Sequence, residues 1–154
     1  MSLDTATVAN ITDRVVSHAM QTGLFEQVNQ AEPKNAPGHG LSAAVWPDKI
    51  TPVRTSGLDS VSGRLVYTVR IYSPLLSRPE DEIDPAMINA VDALFTAYCG
   101  DFTLDGLVRN VDIFGSDGIG LDAQAGYLIV EGGEYRVITI TLPLIVNDLW
   151  TEGT

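Results

Sequence analysis

Apolar residues near the start of the chain recur at Val8, Ile11, Val15, Val16, Ala19 and Met20. Their spacing gathers them onto one side of a 3.6-residue period. The pattern predicts a helix from Thr5 to Thr22, capped by Asp4 or Thr5 and ended by Gly23. A second helical stripe, Met87, Val91, Leu94, Phe95 and Tyr98, follows Asp84-Pro85 and stops at Gly100. Asp as cap with Pro in the first turn opens that helix, and glycine suits its end. Elsewhere the period falls to two. Leu24 to Asn29 reads as a short strand, and Leu41 to Trp46 as a strand stopped by Pro47. From Val61 to Ser73, Leu65, Tyr67, Val69 and Ile71 alternate with Val66, Thr68, Arg70 and Tyr72. Bulk on both faces makes this a central strand covered on at least one side. Leu107 to Phe114 alternates as well. Tyr127 to Val130 and Tyr135 to Ile145 form a hairpin around Gly132-Gly133, a pair suited to positive φ.

The element order is α-β-β-β-α-β-β-β, with no alternating βαβ series, so a doubly wound parallel sheet is disfavoured. The expected class is α+β: a mostly antiparallel sheet with two helices packed on one face. The segments between elements read as polar loops. Residues 30–40 (QAEPKNAPGHG) hold two prolines and two glycines, 51–57 contain Pro52, 74–83 carry the run Glu80-Asp81-Glu82, and 115–120 (GSDGIG) are glycine-rich. No boundary divides the chain, so residues 1–154 are read as one domain.

Charge changes the picture more than size does. The net charge is −11, and it is uneven. Residues 1–100 carry eleven acids and seven bases, whereas residues 101–154 carry nine acids against only Arg109 and Arg136. Gripping phosphate backbones needs clustered Lys and Arg, so nucleic-acid readout is disfavoured, and an anionic membrane surface is disfavoured by the same sign. No apolar run approaches the roughly 20 residues of a membrane span. The start MSLDTATVAN carries no basic segment followed by an apolar one, so no secretory signal is expected. The expectation is a soluble protein that folds in the cytoplasm.

Candidate chemistry is sparse. The single Cys99 excludes an intrachain disulfide and a multi-cysteine zinc site. It reads as a small packed residue at the end of the second helix. His18 reads as a helix-flank histidine without a catalytic partner, and His39 as a loop or contact residue. Asp112, Asp117 and Asp122 stand five apart, unlike the alternate acids of a calcium loop. The 115–120 loop lacks the Lys-Ser/Thr of a nucleotide cradle. No catalytic, cofactor-binding or metal residues are assigned, and no cofactor is expected. An interaction or assembly protein leads over an enzyme.

Four stretches carry a family likeness: Glu32 to Gly38 with Leu41 to Trp46, Val69-Arg70-Ile71-Tyr72, Ile83-Asp84-Pro85 through Ala90–Leu94 to Gly100-Asp101-Phe102, and Ile138 to Trp150. Together they resemble the small neck or tail-completion proteins of long-tailed bacteriophages of actinobacteria, and among these the tail terminators. The resemblance implies a sheet flanked by helices and a structural virion protein without catalytic residues, made in the host cytoplasm. It implies a homo-oligomeric ring of six at the head-proximal end of the tail tube. Such a ring caps tube polymerisation on the major tail tube protein and docks to the head–tail connector. DNA passes through its lumen without specific binding, and no membrane is involved. The alternatives are another neck component, such as a head–tail adaptor, and a small ligand-binding domain or enzyme. On the ring reading, Pro33, Lys34, Asn35, Pro37, His39, Arg70, Arg78 and Arg109 are candidate contacts with neighbouring subunits or rings. Glu80, Asp81 and Glu82 are candidates for an acidic lumen or surface.

Overall fold

The computed structural model describes residues 3–33, 40–54, 59–75, 80–116 and 118–152. In chain order its elements are α1 (Thr5–Gln21), β1 (Gln27–Asn29), β2 (Ser42–Arg54), β3 (Ser60–Pro74), α2 (Glu80–Gly100), β4 (Asn110–Val111), β5 (Asp122–Val130) and β6 (Gly133–Thr151). The expected α+β class and element order hold. One mixed sheet runs β1-β2-β3-β6-β4, with β5 also on β6. Among the described residues only β1–β2 is parallel.

The alternation of β3 sorts its side chains between two environments. Leu65, Tyr67, Val69 and Ile71 join Ile138, Ile140, Leu142 and Leu144 of β6 in the main core. Ile11, Val15, Val16 and Ala19 of α1 and Ile83, Met87, Ala90, Leu94 and Tyr98 of α2 complete that core, so both helices lie on one face of the sheet. Asp4 caps α1, its side chain accepting a hydrogen bond from the Thr7 N–H at 2.8 Å. Thr12 donates to the Val8 carbonyl at 2.8 Å and lies 2.7 Å from the Tyr67 hydroxyl, which ties α1 to the middle of β3. On the opposite face Ala44, Tyr72, Tyr135 and Val137 form a smaller buried cluster, with Trp46, Leu128 and Val130 against it.

Several expectations are corrected. Met20 does not belong to the buried face of α1; it is 65% exposed. Pro47 does not stop β2. A register shift between Pro47 and Lys49 absorbs it, and the strand continues through Pro52, which stands opposite Gly63. Among the described residues, β2 beyond Ala44 pairs with β3 alone, and proline is tolerated where a strand has a free edge. The segment 51–54 is therefore strand rather than loop, while 55–57 lie outside the described residues. Residues 24–26 are not strand, so β1 is shorter than expected.

Further corrections fall in the second half. Helix α2 starts at Glu80, not at Asp84-Pro85, and holds Pro85 inside it. The acidic run forms its first turn, where the positive end of the helix dipole favours acids, and this offsets the hydrogen bond the proline nitrogen cannot donate. The expected strand from Leu107 to Phe114 shrinks to β4, because Leu104, Asp105 and Gly106 all take positive φ and fold 101–109 into turns. The hairpin turn is Glu131-Gly132, with φ +51 and +78, flanked by Val130 opposite Gly133. Two successive positive φ values define the turn whose twist matches a hairpin, and Gly132 takes its value without steric cost. Strand β5 begins earlier than expected, at Asp122, and β6 runs to Thr151. The segment expected as a tail therefore pairs with β3, Trp150 opposite Val61.

Leu94 is fully buried between α2 and the sheet. Leu94→Ala should lower stability by about 2–5 kcal/mol in denaturant unfolding. Met20→Lys should stay within about 0.5 kcal/mol of the parent, since its side chain leaves the core.

Candidate functional site

Three groups of polar side chains stand out, each built by residues far apart in sequence. The first joins α1 to the end of α2. Asp101 Oδ2 lies 2.7 Å from His18 Nε2 and accepts a hydrogen bond from Arg14 Nε at 2.9 Å. Asp101 Oδ1 accepts from the Asp105 N–H at 3.0 Å. The His18 ring meets Tyr98 edge-on at 6.0 Å. His18 thus has a carboxylate partner that its place on a helix flank did not announce. Burial works against the Asp101 charge, but the hydrogen bonds with His18, the Asp105 N–H and Arg14 outweigh it and hold the carboxyl below its ordinary range. Burial also drives the Tyr98 hydroxyl far above its ordinary range. An ionised carboxylate gripped by α1 and by its own turn acts as a tether, closing α1 against the chain leaving α2.

The second group lies on the face without helices. Arg64 and Asp112, both buried, stand with Nε and Oδ2 3.5 Å apart. Arg64 also donates to the Ile119 carbonyl. Gly118 packs over the guanidinium, and a Cβ there would come within 2.9 Å of Arg64 Cζ at a φ of +153. The Ser116 N–H donates to Asp112 Oδ1 at 2.8 Å. The glycine-rich loop is thereby clamped onto β3, and it leaves Phe114 94% and Ile119 68% exposed. The expectation of a turn loop matches its turns and bends; Asp117 lies outside the described residues.

Arg70 centres the third group. Its guanidinium sits 5.3 Å from the centroid of Trp46, donates to Thr139 Oγ1 at 3.0 Å, and reaches Glu32 at 3.9 Å. Its face of β3 carries Tyr72 beside Trp46. Pro33 is half-buried close in sequence to Glu32. Arg70 is thus engaged within its own chain. Arg109 is exposed, and beside it Gly106, Leu107 and Asp148 help line a cleft of about 260 Å³. Asp81 and Glu82 are exposed in the first turn of α2. Asp84, one turn on, accepts from Arg136 Nε at 2.9 Å rather than serving as a cap. Lys34, Asn35, Pro37, His39 and Arg78 lie outside the described residues, as does the side chain of Glu80. Cys99 is exposed, not packed as expected.

Among the described residues no group of three or more His, Cys, Asp or Glu side chains is arranged to hold a metal ion, and no helix is long and apolar enough to cross a membrane. No protein-family model matches the chain, and no curated protein matches it.

Two outcomes follow from these groups. Because the folded-state pKa of Asp101 lies below its unfolded value of about 3.9, its contribution is complete above that value and drains away as the pH falls toward the folded pKa. Asp101→Asn should cost about 1 kcal/mol at neutral pH, a figure reduced because water reaches the site. In urea unfolding the gap between parent and variant should narrow from pH 6 to pH 3. Arg64→Ala should cost about 3–5 kcal/mol, since it removes the cation beside the buried Asp112 carboxylate. Replacing both partners with apolar residues should recover most of that loss in the same assay.

Proposed function

We propose that the chain is a structural protein of the neck of a long-tailed bacteriophage of actinobacteria, acting as a tail terminator. It would form a ring of six on the head-proximal end of the tail tube, stop growth of the tube protein, and offer its other side to the head–tail connector. The observation that carries this reading is the convergence of the stretches bearing the resemblance. Ala43, Ile71 and Ile138, from three of them, stand side by side across β2, β3 and β6. The fourth supplies Ala90 and Leu94 to the core on that sheet. A sheet with helices packed against it is also the fold that the resemblance implies.

Charge supports passage of DNA without binding. Of the nine basic residues in the sequence, Arg14, Arg64, Arg70 and Arg136 stand within 4.0 Å of a carboxylate of their own chain. Pairing of this kind leaves fewer cations to hold phosphates, and each cation that does hold one adds salt-dependent affinity and drag. On this reading Asp81 and Glu82, with Glu80, belong to an acidic lumen or surface, and the inner wall is neutral or acidic. Pro33, Arg109 and the segments 34–39 and 76–79 would make contacts with neighbouring subunits or rings.

Imaging of intact virions tests the reading. A ring of six copies of the 16.5 kDa chain at the top of the tail is expected. A ring of twelve next to the portal would replace the terminator by a head–tail adaptor. A particle absent from the neck, or a ring that retains duplex DNA at physiological ionic strength, would overturn the proposal.

A further inference from the structure

The sheet treats its edges unequally. The free half of β2 is defended: Pro47 and Pro52 lack the N–H groups a new strand would need, the ladder slips between Pro47 and Lys49, and Lys49 and Arg54 add charge. Prolines, bulges and charges are the usual means by which proteins stop edges from pairing. Strands β1 and β4 are only three and two residues long. Strand β5 has none of these defences. Over nine residues, DAQAGYLIV, it carries one charge, at Asp122, no proline, and an unbroken register against β6. Among the described residues no strand pairs with its outer side. Tyr127 is 64% and Ile129 73% exposed there.

The turn fixes which groups face outward. In a two-residue hairpin loop the flanking pair, Val130 and Gly133, exchange hydrogen bonds with each other. By alternation the backbone of Ala123, Ala125, Tyr127 and Ile129 points away from β6. Their side chains share one face and follow a self-complementary order of size: small, small, large, large. Turned antiparallel about Gly126, the strand sets Ala123 against Ile129 and Ala125 against Tyr127. On the other face Asp122 meets Val130, Gln124 meets Leu128, and Gly126 meets itself. No like charges and no two large side chains face each other. The Tyr127 ring is already held in place, with the Arg136 guanidinium 4.6 Å from its centroid.

We propose that in the free protein β5 pairs with β5 of a second copy, antiparallel about a two-fold axis through Gly126. The self-matching order of side chains points to a second copy, because an isologous contact needs one surface that complements itself. The two sheets become one continuous sheet, with each Tyr127 and Ile129 seated on the partner's alanines. The proposal stands apart from the ring reading, since it depends only on β5.

The test uses the full chain in a Cys99→Ser background, because the native thiol is exposed. Gly126→Cys places one thiol from each copy beside the axis. A Cβ at Gly126 meets only Val137 Cγ2, at 3.9 Å, so the substitution fits the fold. In a pair without mutual hydrogen bonds the two Cα atoms stand about 4.5 Å apart, within disulfide reach. Mild oxidation should link Gly126→Cys into a covalent dimer and leave Gln124→Cys, set opposite Leu128, unlinked. Ile129→Lys, at an exposed position, should halve the particle mass in mass photometry without changing the far-UV circular dichroism. An unlinked Gly126→Cys, a Gln124→Cys that links more readily, or an Ile129→Lys protein of unchanged mass would each overturn the pairing. Mass lost on Ile129→Lys without a Gly126 link would place a different segment on the edge and overturn the two-fold arrangement.

Discussion

Strand β6 has to satisfy partners on both sides over most of its length, as far as Ile145, and the remaining architecture is arranged around that demand. One edge pairs with β3 from Pro74 opposite Tyr135 to Ser60 opposite Thr151. The other is taken by β5 as far as Thr141 and then by β4 at Leu144 and Ile145. Buried backbone groups in both strands must find these partners, because an unpaired amide away from water costs as much as a lost hydrogen bond. The alternation of β3 and β6 then decides where the helices go. Leu65, Tyr67, Val69 and Ile71 point to the same side as Ile138, Ile140, Leu142 and Leu144, and only two amphipathic helices on that side can cover them.

The opposite face meets its burial requirement by other means. With no helix there among the described residues, Tyr72, Tyr135 and Val137 cover one another. Near the other end, the clamp of Arg64 on Asp112 and Ile119 draws the glycine-rich loop over the strand. A buried ion pair adds little net stability over apolar packing, yet breaking it is costly. Its effect here is positional: the loop has one place to sit, and Phe114 is held out in water as a consequence.

What could be read beforehand followed from periodicity. The stripes of α1 and α2 and the alternation of β3 are strong enough to survive into the fold nearly unchanged. Several of the misreadings depended on neighbours distant in sequence, and one on local turn geometry. Pro47 and Pro52 break strands in general but not on a free edge, and edge status is a property of the sheet. The Leu107–Phe114 alternation was real, but positive φ at Leu104 and Asp105, residues that do not favour it, turned the chain away first. Asp101 and His18 are 83 residues apart, so nothing local linked them. Of the candidate contact residues, composition singled out charged and proline-rich loops. It had no signal for Arg70 being held by Trp46 and Thr139, nor for the bare edge of β5, whose residues look like those of an ordinary strand.

The position of β6 behind every other element has a kinetic side. On a ribosome the chain emerges N-terminus first, and domains close only when their distant partners exist. Until Gly133–Thr151 is made, β3 can pair with β2 but offers its whole second edge to solvent, together with the apolar face that α1 and α2 only half cover. Pairings such as Ser60 with Thr151 close long loops, the kind of contact that slows folding toward the millisecond-to-second range. The nascent protein therefore spends the interval in which it is most adhesive without its central strand, and the prolines on β2 guard the one edge already formed.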